Sequence, residues 1–181
     1  MEVPEFARGS PLLEGAFRMA EHAHSGPRHE AETGLGHPVR VAELLSAQGF
    51  DETIVAAALL HEVIEETATD AGEVEERFGP EVARLVAAMT EDERIEPYAE
   101  RKAEHRARAA RDRSVAAIYA ADKLAKTEDL LAHNPYSAPE PRLDHYMSTL
   151  RELGDTYPDL PFLGELHREL ELIGEERRGD R

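Results

Sequence analysis

The stretch Ile54-Val55-Ala56-Ala57-Ala58-Leu59-Leu60-His61-Glu62-Val63-Ile64-Glu65-Glu66 decides the fold. Its first seven residues are apolar whichever way a helix turns them, so this segment must run through a core rather than along a surface. Asp51 before it is a helix-capping residue, and the pattern predicts a helix from Glu52 to about Glu66. The end of that helix is unlike its beginning. His61 and Glu65 are one turn apart, as are Glu62 and Glu66, so four polar side chains share one broad face. Three carboxylates on one turn repel each other, and burying them costs solvation. Either water or a bound cation relieves that cost.

Working outward, the neighbouring segments are also helical. Ser10-Pro11 reads as an N-cap followed by proline at the first helical position, ahead of Leu12, Leu13, Ala16, Phe17 and Ala20 at a 3.6-residue period. His37-Pro38 opens a helix that Gly49 stops. Asp70 with Glu73 resembles a capping box, Gly79 ends the short helix that follows, and Pro80 starts another. A long helical region from about Tyr98 to His133 should break near Asp112. Two final helices are expected over about Arg142–Leu153 and Pro161–Ile173. No strand-like alternation occurs, so the fold class is all-α. The segments divide into an N-terminal arm (1–9), one folded domain (10–174) and a frayed tail (175–181).

The net charge of −17 argues against DNA or RNA as partner, because nucleic-acid binding needs a basic footprint. A small anionic ligand in a local basic pocket remains compatible with it. The chain has no cysteine, which removes disulfides, thiolate zinc sites and cysteine nucleophiles. No apolar run has the length of a membrane span, and the first residues lack a signal-peptide pattern, so a soluble cytoplasmic protein is expected. The sequence does not speak to oligomeric state.

Two further residues join the acidic helix end. His37 is fixed by the start of its helix, and Asp122 is the one carboxylate in the apolar run Ala116-Ala117-Ile118-Tyr119-Ala120-Ala121-Asp122. A lone acid in such a run is paired, either with a base such as Lys126 one turn on or with a metal. His37, His61, Glu62 and Asp122 supply two imidazoles and two carboxylates, a mixed set suited to manganese, iron, cobalt or zinc. Four protein ligands leave open positions on a six-coordinate ion. The other histidines, His22, His24, His105, His133, His145 and His167, have no motif around them and are expected at the surface. The one basic stretch, Arg101 to Arg113, offers phosphate contacts, with Arg101 and Lys102 preferred.

At these residues the sequence resembles the HD superfamily of metal-dependent phosphohydrolases, whose signature is H…HD…D. His37-Pro38-Val39-Arg40-Val41-Ala42, Ala57 to Thr67, Phe78-Gly79-Pro80-Glu81-Val82 and Ala121-Asp122-Lys123-Leu124 are similar, in order, to the hydrolase domain of the RelA/SpoT family. That family's form is HPxxVA, AALLHDxxEDT, FGxxVA and ADxL. The resemblance implies a single HD-type bundle of about eight to ten helices. It implies an enzyme that removes the 3′-pyrophosphate of the alarmones ppGpp and pppGpp with one divalent metal, usually manganese. His37, His61, Glu62 and Asp122 would then be the ligands, and Glu65 and Glu66 the acids that orient and deprotonate the attacking water. Arg28, His29, Arg101, Lys102, Lys123 and Lys126 would hold the nucleotide and its phosphates. The sequence departs from the family where aspartate has become Glu62 and Glu66, and one residue is missing between Gly26 and His37. Lys126 and Glu128 replace the family's asparagine and arginine. These last changes keep two alternatives open: an HD phosphohydrolase acting on another nucleotide, and a binding domain without chemistry.

Overall fold

The computed structural model describes residues 1–25, 34–67 and 69–179. Among the described residues there are ten α-helices and no strand, as the all-α reading requires. The chain forms two compact units, Met1–Thr90 and Glu91–Arg181.

In the first unit, a 3-10 turn at Glu5–Ala7 leads to α1 (Pro11–Ala23), α2 (Gly36–Ala47), α3 (Glu52–Leu60), α4 (Val63–Glu66), α5 (Ala71–Phe78) and α6 (Pro80–Met89). Helix α3 is the centre, with α1, α2 and α6 packed around it. Ala56 through Leu60 are fully buried, and so are Ala16, Phe17, Ala20, Val41, Ala42 and Leu45 of the helices that enclose them. Full burial of each large apolar side chain contributes roughly 1.5–3 kcal/mol, so α3 is the hydrophobic anchor of this unit. The caps read from the sequence are made. Ser10 accepts from the Leu13 N–H, Asp51 from Thr53 and Ile54, and Asp70 from Glu73. Ser10 also donates its hydroxyl to Glu52 at 2.8 Å, tying the start of α1 to that of α3. Gly79 closes α5 with φ +86°, a conformation that needs glycine.

The second unit holds α7 (Tyr98–Ala109), α8 (Arg113–His133), α9 (Glu140–Thr156) and α10 (Leu163–Gly179). The break expected near Asp112 is there, and Asp112 caps α8 by accepting from Ser114 and Val115. Tyr146 of α9 packs with Leu130 of α8 and with Leu166, Leu170 and Ile173 of α10. Helix α10 continues past Ile173 to Gly179, longer than the apolar stripe alone suggested. Among the described residues, no helix is long and apolar enough to cross a membrane.

The helix expected over 52–66 is not continuous. It ends at Leu60, and a turn at His61-Glu62 separates it from α4. The His61 ring nitrogen Nδ1 lies 2.7 Å from the carbonyl of Ala58. In an unbroken helix that carbonyl would receive the N–H of Glu62, so the imidazole displaces a helical hydrogen bond.

Candidate metal centre

The turn that interrupts α3 also aims the site. A carbonyl only accepts, so His61 Nδ1 must carry the proton that bonds to Ala58. In the neutral ring Nε2 then holds the lone pair. Nε2 of His61 and Nε2 of His37 each lie 3.6 Å from Oε1 of Glu62. The two rings meet edge to face at 5.4 Å between centroids. All three side chains are buried, with 4–8 % exposure. Donors around a first-row divalent ion sit about 2.1 Å from it, and hence about 3 to 4.2 Å from each other. The spacing of His37, His61 and Glu62 fits that requirement, and the carbonyl on His61 is the kind of outer support that orients a ligating imidazole.

Beside this trio lie His24, which caps the end of α1, and Glu66 of α4. His24 Nδ1 is 2.8 Å from the carbonyl of Ala20, and its Nε2 is 3.6 Å from Glu66 Oε2. The Glu66 carboxylate raises the pKa of His24 against the opposing effect of burial. Glu65, on the same turn, is exposed.

Asp122 of α8 is 2 % exposed, and both of its oxygens are engaged by lysines. Lys126 Nζ is 2.8 Å from Oδ1, and Lys123 bonds Oδ2. The Lys123 ammonium is buried and lies 4.3 Å from the centre of the Tyr119 ring and 5.9 Å from that of Tyr146. Burial opposes its charge, but Asp122 prevails and holds its pKa above the ordinary lysine value. Arg101 and Lys102, expected to reach for phosphate, both bond Glu91, and Arg101 also donates to the carbonyls of Ile95 and Glu96. Burial pushes the Glu91 carboxyl up, yet the His105 ring 3.7 Å away and the hydrogen bonds from Lys102 and Arg101 outweigh it and hold Glu91 well below the usual carboxylate range.

The structure therefore brings together His37, His61 and Glu62, with Glu66 alongside, and places Asp122, Lys123, Lys126, Arg101 and Lys102 in the second unit. Arg28 and His29 lie outside the described residues. One expectation is corrected: His24, His105 and His145 are not at the surface. His105 and His145 are 3 % and 4 % exposed, and the His24 side chain is 2 % exposed. His24 continues the apolar stripe Leu13, Phe17, Ala20 by one turn, a signal that was present in the sequence. Sequence reasoning also missed Glu91, whose partners come from a different segment. His145 accepts from Arg106 at Nδ1 (2.9 Å) and faces the Tyr119 hydroxyl with Nε2 (3.4 Å). Burial, reinforced by the charges of Lys123 and Lys102, pushes His145 down to about 2.

An all-helical fold with an imidazole pair and a carboxylate at a helix break defines a class. The chain belongs to the HD domain family, which it matches over residues 16–142. Within that class it is similar to the enzymes called guanosine-3′,5′-bis(diphosphate) 3′-pyrophosphohydrolase MESH1. It is 34 % identical to that of Danio rerio over 143 residues, 75 % of this chain and 77 % of the other. To that of Mus musculus it is 34 % identical over 146 residues, 77 % and 80 % of the two chains. Among solved structures, a metazoan ortholog of SpoT described as hydrolysing ppGpp superposes with a TM-score of 0.72 at 30 % identity. The match covers 93 % of this chain and 96 % of that one.

Proposed function

We propose that the protein hydrolyses the 3′-pyrophosphate of guanosine tetra- and pentaphosphate, releasing GDP or GTP and pyrophosphate. The observation that carries this reading is the buried His37–His61–Glu62 trio in a chain similar, over three quarters of its length, to ppGpp pyrophosphohydrolases. Manganese is the preferred metal, and iron, cobalt and zinc suit the same mixed donors. His37, His61, Glu62 and Asp122 would hold it. When bound, a divalent metal supplies Lewis acidity that makes a water more acidic and offsets phosphate charge.

The rest of the chemistry belongs to the chain's own side chains. Glu65 and Glu66, at the water-facing end of α4, are the acids available to take the proton of the attacking water, a role worth about 10²–10⁴ in rate. Lys102, Lys123 and Lys126 put three ammoniums in the second unit, where burial and then the charges of Lys123 and Lys126 act to lower the pKa of Lys102. Together with Arg101, Arg28 and His29 they would bind the phosphates and base of a small nucleotide. The replacement of asparagine by Lys126 and arginine by Glu128 favours a second reading, the same hydrolysis on another nucleotide.

Purified protein incubated with manganese and ppGpp should yield GDP and pyrophosphate. Glu65→Gln should keep its metal and lose turnover, while His61→Ala should lose metal binding. Release of orthophosphate from other nucleotides, with no turnover of ppGpp at any metal, would sink the alarmone assignment.

A further inference from the structure

The ligand set His37, His61, Glu62 and Asp122 gives no part to His24, whose buried ring sits at the end of α1. Its geometry repeats that of His61. In each, Nδ1 donates to a main-chain carbonyl (Ala20 at 2.8 Å, Ala58 at 2.7 Å) and Nε2 is turned toward a carboxylate. Binding the far nitrogen to a carbonyl fixes tautomer and direction in a ligating imidazole. The carboxylates facing His24 are Glu66 and Glu62, and one donor atom from each of the three lies within 4.8 Å of the others. Glu62 also lies 3.6 Å from both His37 and His61, so it belongs to two donor groups at once. Opposed donors on a first-row divalent ion are about 4.2 Å apart. The Glu66 side chain, 35 % exposed, has room to make the small movement that closes the difference.

We propose that His24, Glu62 and Glu66 form a second divalent-cation site, joined to the His37–His61 site by the shared carboxylate of Glu62. The proposal rests on the reading of His37, His61 and Glu62 as metal ligands. The two glutamates that stand where the resembled family has aspartate are the two carboxylates this site uses. Each is longer by one methylene, and Glu62 needs that reach to serve imidazoles on both sides. One nitrogen and two carboxylates suit manganese or iron(II). The site also separates the roles of the adjacent acids, with Glu66 holding an ion and Glu65 left to handle the proton of water.

The test is titration of manganese alone into the metal-stripped full chain, followed by calorimetry and by electron paramagnetic resonance of the bound ion. Two equivalents are expected, the second attenuating the signal of the first through magnetic coupling. His24→Ala and Glu66→Gln should each leave one equivalent, or weaken the second at least tenfold. Glu66 is partly exposed, so Glu66→Gln decides the matter if His24→Ala fails to fold. One equivalent in the unaltered chain, or a second equivalent that Glu66→Gln leaves unweakened, overturns the second site and leaves the first intact. No bound manganese in the unaltered chain overturns the metal-dependent hydrolase reading along with it.

Discussion

Lowering the pH from 7.5 to 5.5 should destabilise the protein through one side chain, His145. Its Nδ1 accepts a hydrogen bond from the Arg106 guanidinium at 2.9 Å, so a proton can reach that nitrogen only by breaking the bond and facing a second positive charge. Burial and the nearby lysines hold its pKa near 2 in the folded chain, against 6.5 in an unfolded one. Between those values the unfolded state binds the extra proton, so stability falls as pH falls below 6.5. For this residue the loss is about 1.4 kcal/mol at pH 5.5 and about 2.7 kcal/mol at pH 4.5. The assay is urea unfolding followed by circular dichroism at 222 nm, because the chain has no tryptophan. His145→Gln retains an acceptor for Arg106 but does not titrate. The variant should therefore lose about 1.4 kcal/mol less than the unaltered protein between pH 7.5 and 5.5. Equal losses in the two proteins would show that His145 is not held neutral by its surroundings.

Three further outcomes follow from the packing and caps. Leu59→Ala in the fully buried centre of α3 should cost about 2–5 kcal/mol, read as a lower urea midpoint with unchanged slope. Asp112→Ala removes the acceptor for Ser114 and Val115 at the start of α8 and should cost about 0.5–2 kcal/mol, with the melting temperature lowered accordingly. Glu91→Gln takes the charge from the acceptor shared by Arg101 and Lys102, and should cost about 1.5–3 kcal/mol at pH 7. Because the folded Glu91 pKa is depressed, that difference should persist above the carboxylate's ordinary 4.5 and shrink as pH falls below it, which chemical unfolding at pH 7 and pH 3.5 will show.

Much of the fold was legible because its signals are local. The seven-residue apolar run of α3 could lie nowhere but in a core, and Ser10, Asp51, Asp70 and Asp112 cap the helices that follow them. The trio His37, His61 and Glu62 was legible because its three residues sit at helix starts and ends with few local alternatives. The break at His61 was not, since it depends on a ring competing with the backbone for Ala58, which periodicity does not register. The attachment of Arg101 and Lys102 to Glu91 was hidden for a different reason. Opposite charges ten and eleven residues apart, across a loop, have no fixed spacing to betray them. His105 and His145 were misplaced because histidine is read as polar, whereas burial holds His105 toward its neutral form and the His145 ring has Arg106 and the Tyr119 hydroxyl in reach.

The lysines on Asp122 have a consequence for how the chain folds. A carboxylate sunk in an apolar helix would normally make folding hostage to whatever cation it was meant to receive. Lys126 and Lys123 act as built-in counterions, one on each oxygen. The helix can therefore fold around its acid before any ion arrives. On the proposed reading of Asp122 as a ligand, loading would exchange one cation for another rather than fill a charged void.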